Sequence, residues 1–275
     1  STYQTDKYWI AEGSKGLRSI QRKGSNSFEA LNEPIILDGP YSNSAFDIVC
    51  KNDKVYMIIG GKDLLNGKRF DKGGYILTYD YDKWSFIDPK EAQKKLNLPR
   101  NPRDYTSIAV TTDDSNDEIV YASSMGDGVI QYKNGTPVQS YNEKNAFKET
   151  AGGYGSGYCY IDGLAFDKNG NLWMTSSEVN HAVLVLDKAG AWHRLDIEQL
   201  RGVYTINDIL ITSTNDKWIY VPRNTPKLVM IPNSESLDEV SSYEFTTLID
   251  TDGKELTPSN YTCVAEDKDG YIWVG

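Results

Sequence analysis

One pattern recurs along the chain and restricts the folds open to it. It reads apolar strand, turn of the form Asp-Lys-Asn/Asp-Gly, then a second apolar strand with a central tryptophan. It is clearest at 163–176, GLAFDKNGNLWMTS, and at 263–275, CVAEDKDGYIWVG. Asn169-Gly170 and Asp269-Gly270 are tight-hairpin signals, because such turns need residues that accept positive φ. Weaker copies follow at 207–221, NDILITSTNDKWIYV, at 107–123, SIAVTTDDSNDEIVYAS, and at 47–59, DIVCKNDKVYMII. A half copy, KYWIAEGSKGL, stands at 7–17. The markers of the second strand are Trp9, Tyr56, Val120, Trp173, Trp218 and Trp273, spaced 45 to 64 residues apart.

Further short strands follow the markers, for example GVIQYK and PVQSYN around Asn134-Gly135, or AVLVLD and AWHRLD around Lys188-Ala189-Gly190. Each unit therefore reads as a four-stranded antiparallel meander, and repeats of about 40–50 residues built this way are propeller blades. A β-sandwich would alternate similarly but would not repeat the Asp-x-x-Gly-x-x-Trp motif; a β-helix would need shorter, more regular coils. The expected fold is an all-β β-propeller, with each marker packed between neighbouring sheets. Both ends of the chain enter marker strands. Residues 1–275 are therefore expected to form an incomplete propeller domain, about five blades plus part of a sixth, excerpted from a longer multidomain polypeptide. Helix is expected only in loops, at 89–96, where Asp88 caps and Pro89 suits the first position, and as a turn at 196–200.

Charge and composition narrow the function. Lys+Arg number 29 against 39 Asp+Glu, a net charge of −10, which disfavours nucleic acid as a partner. No apolar run approaches the roughly 18 residues of a transmembrane helix. Cys50, Cys159 and Cys263 are odd in number and far apart, so neither a disulfide framework nor a zinc knuckle is expected, and all three read as buried strand thiols.

The chemical motifs fail on inspection. Asp167, Asn169 and Asn171 imitate positions 1, 3 and 5 of a calcium loop, but Leu172 stands where the loop requires glycine. GGYGSG at 152–157 satisfies neither a dinucleotide fingerprint nor a nucleophile elbow. His193 lies in a strand, and only His181 lies in a loop. No catalytic residue, metal or cofactor is expected, and the segment is read as a non-enzyme. A directly bound ligand is expected to be a glycan, whose C–H faces stack on aromatic rings. The candidate ligand-binding residues are Tyr154, Tyr158 and Tyr160 of the loop at 152–160, with His181 on the same rim. An anionic polysaccharide would need a local basic patch.

The motifs DKNGNLWMT and DKDGYIWVG resemble the two-component regulator propeller repeat of Bacteroidetes, roughly D-x-x-G-x-[IL]-W-[IV]-G-T. Together with YWIAEGSKGL at 8–17, GPYSNSAFDI at 39–48 and VYASSMGDGVIQYKNG at 120–135, they resemble the PorZ-like surface components of type IX secretion systems. That resemblance implies an exported, non-catalytic propeller at the outer membrane's outer face. Its partners would be proteins of the secretion and attachment complex, with lipopolysaccharide or another glycan as ligand. Two alternatives stay open: the periplasmic oligosaccharide-sensing propeller of a hybrid two-component regulator, and a propeller lyase or lactonase.

Overall fold

Period-2 apolar patterning and short turns become antiparallel meanders in the computed structural model, which describes residues 7–11, 17–35, 39–64, 66–147 and 157–275. The chain divides into two compact units, Ser1–Pro40 and Tyr41–Gly275. The first holds one sheet, β1 (Lys7–Ala11), β2 (Leu17–Arg22) and β3 (Phe28–Ala30), with Trp9 opposite Ser19. Trp9 is 54% exposed.

The second unit carries four four-stranded meanders. The first is β4 (Ala45–Lys51), β5 (Lys54–Ile59), β6 (Ile76–Asp80) and β7 (Lys83–Ile87). Helix α1 (Pro89–Leu96) follows, and the Asp88 side chain caps it by accepting from the Lys90 N–H. The second meander is β8 (Tyr105–Thr112), β9 (Glu118–Gly126), β10 (Gly128–Lys133) and β11 (Thr136–Tyr141). The third is β12 (Cys159–Phe166), β13 (Leu172–Ser176), β14 (Val183–Leu186) and β15 (Trp192–Leu195), followed by a 3-10 turn at Glu198–Leu200. The fourth is β16 (Ile209–Ile211), β17 (Lys217–Val221), β18 (Lys227–Ile231) and β19 (Tyr243–Phe245). Two pairs complete the unit: β20 (Leu248–Ile249) with β21 (Glu255–Leu256), and β22 (Val264–Glu266) with β23 (Ile272–Val274). The first strands of successive meanders lie side by side, and apolar clusters fill the spaces between consecutive sheets. This is propeller architecture.

A carboxylate device in the hairpin turns accounts for the sequence repeat. Asp167 Oδ1 accepts from the Asn169 and Asn171 N–H groups at 2.9 and 2.8 Å, and Oδ2 accepts from Trp173 Nε1 at 2.9 Å. Asp267 repeats the arrangement with Asp269, Tyr271 and Trp273. Asp187 holds the Ala191 N–H with one oxygen and lies 3.1 Å from His193 Nε2 with the other. The calcium-like spacing is therefore the spacing of a side-chain-capped turn, in which aspartate satisfies backbone donors and grips the residue six positions on.

This turn-anchored register corrects one marker. The Asp113 N–H bonds Asp117 O as the Asp167 N–H bonds Asn171 O. Ile119, not Val120, therefore occupies the position of Trp173. Ile119 and Tyr121 pack toward the third meander, whereas Val120 faces the first meander beside Tyr56 and Ile58. A one-residue slip reverses every side chain, because strand side chains alternate between faces. Burial of the markers also differs. Trp173 is 1% exposed, Trp218 is half-buried and stacked on Phe245, and Trp273 is 65% exposed. The thiols need correction too: Cys50 and Cys263 are exposed, and only Cys159 is buried, which pushes its thiol up to about 12.

Candidate functional site

In each meander the turns joining first to second and third to fourth strands lie at one end. The loops joining second to third strands, and one meander to the next, lie at the other. The turn end collects the capping carboxylates, Asp113, Asp117, Asp167, Asp187, Asp216 and Asp267 among them. The loop end collects Lys62, Arg69, Lys72, Arg100, Arg103 and Arg223. The same end also carries Asp47, Asp104, Asp127, Asp162, Glu178 and Asp208, so side chains of both signs meet there.

The floor of the loop end is polar. Asp47 Oδ2, at a bulge in β4, accepts from the Ile108 N–H at 3.0 Å and from Ser107 Oγ at 3.2 Å. Ser107 Oγ in turn accepts from the Leu164 N–H at 3.1 Å. Thr175 Oγ1 donates to Asn207 O at 2.8 Å, and Tyr220 Oη donates to Thr262 O at 3.1 Å. Side chains of one meander thus satisfy the backbone of the next, as buried polar groups require. An open cavity of about 170 Å³ lies beside these strands, lined in part by Asp47, Thr106, Asp162, Asp208 and Tyr220.

Burial raises the Asp208 carboxyl to about 7, with Asp47 adding like-charge repulsion; Asp47 is itself raised by burial. The folded state therefore holds a proton on Asp208 that the unfolded chain releases near 3.8. Folding then binds more protons than unfolding, so this group's contribution to stability falls as pH rises from about 4 to about 7. Asp208→Asn should remove that loss. Its melting temperature should gain on the parent's progressively between pH 4 and pH 8, and a pH-independent difference would contradict the assignment.

Lys62 is placed at the floor by Gly60-Gly61, with φ of 138° and 88°. A Cβ on Gly60 would lie 2.3 Å from Tyr105 N, and one on Gly61 2.0 Å from the Phe46 ring, so only glycine lets the chain turn inward there. Lys62 Nζ is paired with Asp162 Oδ1 and donates to Ile206 O at 3.1 Å. Asp162 Oδ2 accepts from Ser177 Oγ at 2.5 Å, and Ser177 Oγ accepts from the Ile206 N–H at 2.8 Å. One buried ion pair therefore ties a loop of the first meander to the third and to the segment entering the fourth.

Aromatic and guanidinium groups rim this floor. The start of β12 pairs with the end of β9, Tyr160 opposite Met125, which carries Tyr158 and Tyr160 to the loop end. Their rings meet edge to face at 5.1 Å. Tyr160 is 5% exposed and Tyr158 half-buried. Arg69 and Arg100 lie 6.0 and 5.8 Å from the Tyr158 ring, and Arg69 also donates to its hydroxyl. Arg69 Nε donates to Asp104 at 3.0 Å, and Arg100 Nε to Asp127 at 2.7 Å. Arg223 lies 5.4 Å from the Tyr204 ring and donates to Thr205 Oγ1 at 3.0 Å.

Of the residues singled out by sequence, Tyr158, Tyr160 and His181 share the loop end, His181 near Asp196. Tyr154 and most of its loop lie outside the described residues. His193 is elsewhere, at the turn end, between Asp187 and Asp238 at 3.1 and 3.0 Å; hydrogen bonds to Asp238 and then Asp187 raise its pKa. Sequence reading missed Tyr204, the half-exposed ring of the rim, and missed Lys62, Asp162 and Glu178. The glycine pair before Lys62 was the only local signal for any of them.

Comparison with known proteins agrees with the architecture. Residues 255–275 match the family model of the two component regulator propeller. No curated protein matches the chain. The whole chain superposes on 37% of PorZ, described as an essential bacterial surface component of the type-IX secretion system of Porphyromonas gingivalis, with a TM-score of 0.77 and 19% identity. It also superposes on 31% of a structure from B. thetaiotaomicron, described as the extracellular domain of a hybrid two component system, with a TM-score of 0.53 and 18% identity. A third likeness is a catalytically inactive histidine variant of virginiamycin B lyase from Staphylococcus aureus, at TM-score 0.50 and 14% identity over 87% of this chain and 73% of that one. These likenesses establish a β-propeller fold. The chain spans about a third of the length of the PorZ and sensor-domain structures. No helix among the described residues is long and apolar enough to cross a membrane.

Proposed function

We propose that this chain is an exported, non-catalytic propeller module that binds through its loop end, in the manner of a surface secretion component. Its partners would be a glycan such as lipopolysaccharide and the proteins of the attachment complex. The observation that carries this reading is the gathering of Arg69, Arg100 and Arg223 with Tyr158 and Tyr204 above a polar floor. It offers ring faces for the C–H faces of a glycan and guanidinium donors for its hydroxyls, Arg69 and Arg100 being held in place by Asp104 and Asp127. The non-catalytic part rests on the likeness to a surface secretion component and to a sensor's extracellular domain.

Titration with lipopolysaccharide fragments and with neutral oligosaccharides tests the reading. Tyr158→Ala/Tyr204→Ala should weaken binding by at least about tenfold, since each ring carries stacking area and a hydroxyl. Unchanged affinity in a folded double variant would remove this face from the site. The match at residues 255–275 favours a second reading, an oligosaccharide-sensing propeller, which would prefer one defined neutral oligosaccharide over lipopolysaccharide. Turnover of a lactone or a cyclic depsipeptide that His181→Ala abolishes would replace both readings with an enzyme.

A further inference from the structure

Beneath the rim lies a second, smaller cavity of about 20 Å³, lined by Lys62, Tyr160, Asp162, Ser177, Glu178 and Tyr204, among others. That volume accepts a single water-sized group and no more. Three features distinguish it. Glu178 sits at φ 61°, in the left-handed region disfavoured for a residue with a side chain, and its N–H is held there by Val203 O at 2.8 Å. Its carboxylate has no hydrogen-bond or ion-pair partner among the described residues, although the residue is half-buried; burial, then nearby Asp162, raises its pKa. Lys62, 3% exposed, has three N–H donors and bonds two acceptors, Asp162 Oδ1 and Ile206 O. One buried donor, on Lys62, and one half-buried acceptor, on Glu178, thus border the same one-group space.

The charges around that space select its occupant. An ammonium group would meet the Lys62 cation, and a carboxylate or phosphate would meet Asp162 and Glu178. A water or a ligand hydroxyl avoids both, because each donates and accepts through one atom, and a ligand hydroxyl would replace the water.

We propose that this cavity is a socket for a single uncharged hydroxyl of a saccharide, with Glu178 accepting its proton in a hydrogen bond and Lys62 donating to its oxygen. The ring that carries the hydroxyl lies against the exposed Tyr204. This rests on the glycan-binding reading above and adds to it a requirement for a neutral sugar at the floor, beneath the rim of arginine and tyrosine side chains. Glu178 is the specificity-determining residue.

The test is calorimetric titration of the whole chain with maltohexaose, laminarihexaose, cellohexaose and mannohexaose, and separately with lipopolysaccharide. Glu178→Gly suits the left-handed backbone and removes only the side chain, so its melting temperature should be unchanged or higher. Its affinity for the hexaose that binds should fall by at least about tenfold. Glu178→Gln should bind with intermediate affinity. It should also lose the weakening that the parent shows as pH falls through the raised Glu178 titration, a readout that a structural role would not move. If a neutral hexaose binds Glu178→Gly as it binds the parent, the socket is overturned and the glycan reading stands. The socket is likewise overturned, and the glycan reading kept, if lipopolysaccharide binds and no hexaose does. If nothing in the set binds, both fall.

Discussion

Trp173→Ala should destabilise the protein by about 3–5 kcal/mol, the range for removing a large buried aromatic. The ring is 1% exposed and packs with Val183, Val185, Ile209 and Ile219 between the third and fourth meanders. Its Nε1–H satisfies Asp167 Oδ2, the atom that completes the turn. Its face carries Lys217 Nζ at 4.6 Å, and Lys217 is almost fully buried, with burial lowering its pKa. Truncation would therefore open a cavity, leave a carboxylate oxygen of Asp167 without its indole donor and strip a buried cation of its aromatic partner. Trp273→Ala is the internal control. It removes the same residue from the same motif, with the same bond to Asp267 at 2.7 Å, but from a ring that is 65% exposed. Its cost should stay at about 1 kcal/mol. Urea unfolding of both variants reads the difference directly. Equal midpoints would show that the turn, and not burial, sets the value of the tryptophan.

Breaking the Lys62–Asp162 pair should be about as costly. Both side chains are buried, and each is the other's charge partner. Lys62→Met strands a carboxylate held only by Ser177, and Asp162→Leu strands an ammonium held only by Ile206 O. Leaving one charge of a buried pair uncompensated costs about 3–5 kcal/mol, whereas replacing both by apolar groups is often near neutral. The double variant Lys62→Met/Asp162→Leu should therefore recover most of what either single variant loses. A coupling energy near zero in that double-mutant cycle would show that the pair does not join the first meander to the third.

Several features were legible in the chain because their causes are local. The helix at 89–96 follows from Asp88 and Pro89, which satisfy and pre-set its first turn. The Asp167–Trp173 and Asp267–Trp273 hairpins follow from a carboxylate that reaches donors two, four and six residues ahead, so a short run of consecutive positions encodes the whole unit. Val120 was misplaced for the converse reason. Ile119 stands where the motif has tryptophan, and in a run of apolar residues alternation alone does not choose the face. The candidate site was half legible. Tyr158 and Tyr160 were visible as aromatics beside a glycine-rich loop, but Tyr204 and Glu178 carry no local mark of function, and Lys62 carries only the glycine pair before it.

By itself, the sequence determined the strands, their turns and their grouping into propeller repeats, because hydrogen bonds within a hairpin and period-2 burial act over a few residues. Only the tertiary structure decided which marker is buried, which rings and guanidinium groups meet at the loop end, and that Lys62 meets Asp162 across 100 positions of chain. Those outcomes depend on which sheet lies against which, and an ion pair or a packed ring acquires its energy only when the partner arrives and water leaves.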